Sequence, residues 1–79
     1  MVIAGVIIET APGSEPRVAA RLLRERWVSL EGGDGDRRLA AVLEGESGGS
    51  LEELTERLLA TDEEILGVFP TFVASTDSP

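Results

Sequence analysis

The order of apolar runs and breakers predicts an α+β domain of the form β-α-β-β-α-β, a four-stranded antiparallel sheet with two helices on one face. Three observations lead there. Four short segments are dense in Val, Ile, Leu and Phe and are bounded by Gly, Pro, Ser or Asp. Two segments between them carry apolar residues at helical spacing. An Asp-Gly pair sits between the middle two strand-like runs, where a tight hairpin needs it.

The first strand is Val2 to Glu9, a β-branched run stopped by Ala11-Pro12-Gly13. Pro16 suits the first turn of a helix, and Ser14 is a suitable cap for it. Val18, Ala19, Leu22 and Leu23 then share a side opposite most of Arg17, Arg21, Arg24 and Glu25, so the first helix is expected over about Glu15 to Arg26. Val28 and Leu30 alternate with Ser29 and Glu31 in a short second strand. After Asp34-Gly35-Asp36 a third strand runs from Arg37 to Glu44. Ser47-Gly48-Gly49-Ser50 breaks it. Ser50 and Glu53 have capping-box spacing, and Leu51, Leu54, Leu58 and Leu59 form one stripe, so the second helix is expected over Leu51 to Ala60. The last strand is Leu66 to Ser75. Residues 1–75 then make one domain, and 76–79 read as a flexible tail. This is the ferredoxin-like arrangement, with expected strand order 4-1-3-2 and right-handed crossovers that put both helices on one face. Pro70 falls on an edge strand, where a missing N–H is tolerated.

At 79 residues the chain has room for one small core, burying about 60% of its extended surface. It has no cysteine and no histidine, which removes disulfides, thiol nucleophiles, imidazole bases and the common soft metal ligands. No cofactor is expected. Fifteen acidic residues against seven basic ones give a net charge of -8, which argues against nucleic acid and favours a cationic partner. The N-terminal run lacks a preceding Lys or Arg and is too short for a signal peptide, and no stretch is long enough to span a bilayer. The expected location is therefore the cytoplasm, without stable membrane insertion.

Alternation assigns the two sides of the sheet. Ala4, Val6, Ile8, Val28, Leu30, Leu39, Ala41 and Leu43 are expected under the helices, and in the last strand Val68, Pro70, Phe72 and Ala74 with them. The uncovered side receives Ile3, Gly5, Ile7 and Glu9 from the first strand, Arg38, Ala40, Val42 and Glu44 from the third, and Phe69, Thr71 and Val73 from the last. That side is apolar for a solvent-facing surface, the mark of a contact site. Its occupant is a partner or a second copy of the chain stacked sheet to sheet as a homodimer. Trp27 lies on the same side by alternation, and its place at a helix-to-strand corner favours a lid on the core.

Catalysis finds little support. Glu52 and Glu53 are adjacent on a helix and point apart, and Glu9 and Glu44 are neighbours only if the register brings them together. The segment Glu31-Gly32-Gly33-Asp34-Gly35-Asp36 lacks calcium-loop spacing and the lysine of a phosphate loop, so it reads as a turn. Arg37-Arg38 falls within the hairpin.

The segments IAGVIIETAPG, VAARLL, EGGDGDRRLAAVLEGES and LEELTERLLATDEEILGVFPTFVAS together resemble the NapD family, with Ile65-Leu66-Gly67-Val68 the most distinctive piece. NapD-like proteins are cytoplasmic chaperones for maturation of the periplasmic nitrate reductase. The resemblance implies a binding protein, not an enzyme. Its implied partner is the twin-arginine signal peptide of the nitrate reductase catalytic subunit, held until the molybdenum cofactor is loaded. The apolar part of that peptide would lie on the uncovered sheet, and its arginines would meet Glu9 and Glu44. A module that senses small molecules or oligomerises, like AsnC-type or ACT domains, is the alternative on the same fold.

Overall fold

The run Val2-Ile3-Ala4 opens β1 (Val2–Thr10), the strand around which the sheet is organised. In the computed structural model, which describes residues 1–75, α1 (Glu15–Leu22), β2 (Val28–Gly33), β3 (Arg38–Gly45), α2 (Gly48–Thr61) and β4 (Ile65–Ser75) follow. The expected tail, 76–79, lies outside the described residues. All strand pairs are antiparallel, and the order β2-β3-β1-β4 is the expected 4-1-3-2 order read from the other edge.

Both helices lie on one face. A single buried cluster joins Ala4, Val6, Ile8, Leu39, Ala41 and Leu43 of the sheet to Val18 and Leu22 of α1 and to Leu51 and Leu58 of α2. Ile8, Val18 and Leu43 are fully buried, which puts the centre of the core between the paired strands β1 and β3 and the helices above them. Trp27 is half-buried at the edge of this cluster, and its indole N–H donates to Glu25 at 3.1 Å. It precedes β2, packs against the core, and also borders a hollow with Glu44 and Glu46. Among the described residues, no helix is long and apolar enough to cross a membrane.

The helix ends differ from expectation. α1 stops at Leu22, because Arg24 and Glu25 bond back three residues to Arg21 and Leu22 and tighten the chain out of the α-helix. Ser14 makes no cap bond; its hydroxyl donates to Glu64 instead. α2 begins at Gly48, with Ser47 as its cap: extended backbone at Ser47 lets its Oγ accept from the Ser50 amide at 3.3 Å. Ser50 therefore lies inside the first turn. The hairpin behaves as expected. Asp34 Oδ1 accepts from the amides of Asp36, Arg37 and Arg38 at 2.8 to 3.0 Å, which holds the Asp34 carboxyl below its usual range.

Candidate functional site: the open face of the sheet

Register places the uncovered residues in four rows across the sheet. Glu9 lies between Arg38 and Gly67; Ile7 between Ala40 and Phe69; Gly5 between Val42 and Phe72; Ile3 between Glu44 and Ala74. The two middle rows are mostly apolar, with Ser29 beside Val42 at the β2 edge and Thr71 in the Gly5 row. Ile3, Ile7, Ala40 and Val42 are half-buried by their neighbours alone, while Phe69 and Phe72 remain 53% and 50% exposed.

A β-bulge in β4 decides which side chains take part. Gly5 pairs with Phe72 and the next residue, Val6, with Pro70, so Thr71 is the extra residue and both Thr71 and Phe72 oppose Gly5. Alternation along β4 changes phase there. Thr71 lies over Gly5 on the open side as expected. Phe72 and Ala74, expected under the helices, are on the open face. Val73, expected on the open face, pairs with Ala4 and lies on the helix side. The other nine expected positions, Ile3, Gly5, Ile7, Glu9, Arg38, Ala40, Val42, Glu44 and Phe69, share the open face.

Gly5 makes the bulge possible. A Cβ built on it would overlap the edge of the Phe72 ring and lie 2.8 Å from the Thr71 hydroxyl, so only a bare backbone accommodates both residues. Phe69 folds back in the same way over Gly67, whose Cβ would lie 2.7 Å from the ring tip. Each aromatic ring is thus seated against glycine backbone.

Charge lies at the two ends. Glu9 and Glu44 do not meet: Glu9 is in the row of Arg38 and Glu44 in the row of Ile3, roughly 20 Å apart by the rise of six strand residues. The sequence assigns both to one face but not to one end, because their separation depends on pairing register. Arg38 stands across from Glu9, and Glu44 has Ile3 as its neighbour, with Glu46 and Arg26 lining the same hollow. Among the described residues, the carboxylate held far from its usual range is elsewhere. Glu64, on the helix side, accepts from Arg17 at 2.8 Å, from Ser14 and from Arg21 at 2.9 Å, and these donors push it down to about 2. The open face thus carries two aromatic rings and three branched aliphatic side chains, with mixed charge at both ends: Glu9 beside Arg38 at one, Glu44 and Glu46 with Arg26 at the other. No family model, curated protein or solved structure matches this chain.

Proposed function

We propose that this chain is a maturation chaperone of the NapD type, a binding protein and not an enzyme. On this reading it acts in the cytoplasm, holding the twin-arginine signal peptide of a periplasmic nitrate reductase catalytic subunit and delaying export until the molybdenum cofactor is in place. The observation that carries the reading is the apolar centre of the open face, Ile3, Ile7, Val42, Phe69 and Phe72 around Gly5, on a chain whose net charge is -8. Apolar centre and negative field match a leader that is apolar along one segment and cationic at one end.

Magnitudes support a helix lying across the whole face. Ordering such a peptide opposes binding by roughly 2–5 kcal/mol. Each half-exposed phenylalanine gains about 1 kcal/mol on being covered, so the two rings alone reach only the low end of that cost. Ile3, Ile7 and Val42 supply the rest, together with charge-assisted hydrogen bonds from the arginine pair. Neighbouring arginines reach one end of the sheet only. Each end holds a cation, Arg38 beside Glu9 and Arg26 with Glu44 and Glu46, and the leader's arginines are assigned to the second end because two carboxylates there face one arginine.

Calorimetric titration with a synthetic twin-arginine leader tests this. Wild-type chain is expected to bind with 1:1 stoichiometry. Phe69→Asp, Phe72→Asp and Ile7→Asp are each expected to weaken binding about tenfold or more while circular dichroism stays folded. Unchanged affinity in these folded variants overturns the site. A stable homodimer indifferent to the leader overturns the function and favours the oligomerising alternative.

A further inference from the structure

The helix side of the sheet is not fully covered. Between α2 and the C-terminal half of β4 runs a groove of about 500 Å³, with Leu43 and Leu51 on its floor and Pro70 and Val73 along one wall. Glu52 and Glu56, one helical turn apart on α2, form the other rim. Val73 is 61% exposed there, brought to this side by the bulge at Thr71. Thr55 lies between the two glutamates, and its hydroxyl donates back to the Leu51 carbonyl at 3.0 Å, leaving the rim to the carboxylates.

We propose that this groove is a second docking site, independent of the open face, for an amphipathic peptide helix whose apolar stripe is flanked by lysines or arginines. Three features select that occupant. The lining contains carboxylates and no arginine; Arg57, the basic residue of α2, lines the opposite groove beside Trp27. A second copy of the chain would bring another net charge of -8 against the same acidic rim. An added strand is disfavoured, because Pro70 has no N–H to offer and the bulge at Thr71 breaks the outer edge of β4. A helix needs no edge hydrogen bonds. It presents apolar residues at one-turn spacing to Leu51, Pro70 and Val73, and its cations meet Glu52 and Glu56.

The test is fluorescence anisotropy of a labelled Leu/Lys peptide, leucines at helical spacing, titrated with the full chain. Val73→Asp is expected to weaken binding about tenfold or more, and so is the pair Glu52→Lys with Glu56→Lys. Phe69→Asp on the open face, and the pair Glu31→Lys with Glu53→Lys, which makes the same charge change outside the groove, are expected to leave affinity within about twofold. Amide shifts on titration are expected at Leu51, Thr55 and Val73. The groove assignment is overturned by absence of binding at millimolar peptide, by equal affinity in the groove variants, or by equal loss in the control charge pair. Shifts centred on Ile7 and Phe72, or occupation of the groove by a second copy of the chain, overturn it too. Val73→Asp is expected to leave binding of the twin-arginine leader intact, so the two sites fail or stand separately.

Discussion

Glu64 joins the loop after α2 to the first helix by accepting from Ser14, Arg17 and Arg21, and Arg21 adds a two-point contact to Asp62 at 2.9 Å from each nitrogen. The donors stabilise the charged form and hold the Glu64 carboxyl at about 2, against 4.5 for the ordinary group. Its folded-state value is depressed, so its contribution is fully present above about 4.5 and is lost as pH falls toward 2. Urea unfolding at a series of pH values is expected to show wild-type stability dropping through this window. Glu64→Gln is expected to be less stable than wild type at about pH 5, with the difference closing toward pH 2. Asp34 adds a residual slope of the same sign in both proteins, since its carboxyl is also lowered. A constant difference between the two proteins across that range contradicts this account. None of the network is legible in the sequence, because its partners are 41 to 50 residues apart and Ser14 beside Pro16 has the local look of a helix cap. The Gly5 seat for Phe72 is hidden for the same reason: a glycine in a strand announces a close approach but not what approaches.

At the scale of elements, α2 shows how two adjacent signals compete. Ser47 and Ser50 both precede a leucine stripe, and Glu53 gives Ser50 the better motif, yet the helix starts from Ser47. Gly48 and Gly49 read as a breaker, but the first turn has amides without intrahelical partners in any case, and Ser47 satisfies the one at Ser50. Ser47→Ala is expected to destabilise the domain by about 1 kcal/mol, a fall of about 4–8 °C in thermal midpoint. Ser50→Ala removes a hydroxyl whose hydrogen bond among the described residues is to the Ser47 oxygen, at 3.2 Å, and is expected to change the midpoint much less. The reverse ranking returns the cap to Ser50. The six elements and their order were legible because β-branched runs, breakers and leucine spacing agree with one another. The phase of β4 beyond Pro70 was not, because Thr71-Phe72-Val73-Ala74 offers either face an apolar side chain. That choice is made by Gly5 on the neighbouring strand, so the strand's own pattern places Phe69 correctly and misplaces Phe72 and Val73.

For the whole molecule the governing quantity is the net charge of -8 within a body of 44 × 22 × 21 Å. At about 10 mM salt the screening length is about 30 Å, so charges across most of the molecule repel one another; at about 150 mM it is about 8 Å and only close neighbours interact. The Arg17, Arg21, Asp62 and Glu64 contacts, at 2.8 to 2.9 Å, are well inside either length and change little. Removing the long-range repulsion is therefore the larger effect, and the thermal midpoint of the free chain is expected to rise by a few degrees between these two conditions. On the proposed function, binding of a cationic leader is expected to respond in the opposite direction, because the field that strains the free protein would attract the peptide. Its affinity is expected to fall over the same salt interval, with most of the change in the association rate. Stopped-flow titration and thermal unfolding on one sample series measure both. Opposite slopes are the signature of a surface whose acidic excess serves recognition. Parallel slopes would mean that the charge does not reach the bound peptide, and would leave the apolar centre of the open face as the whole basis of binding.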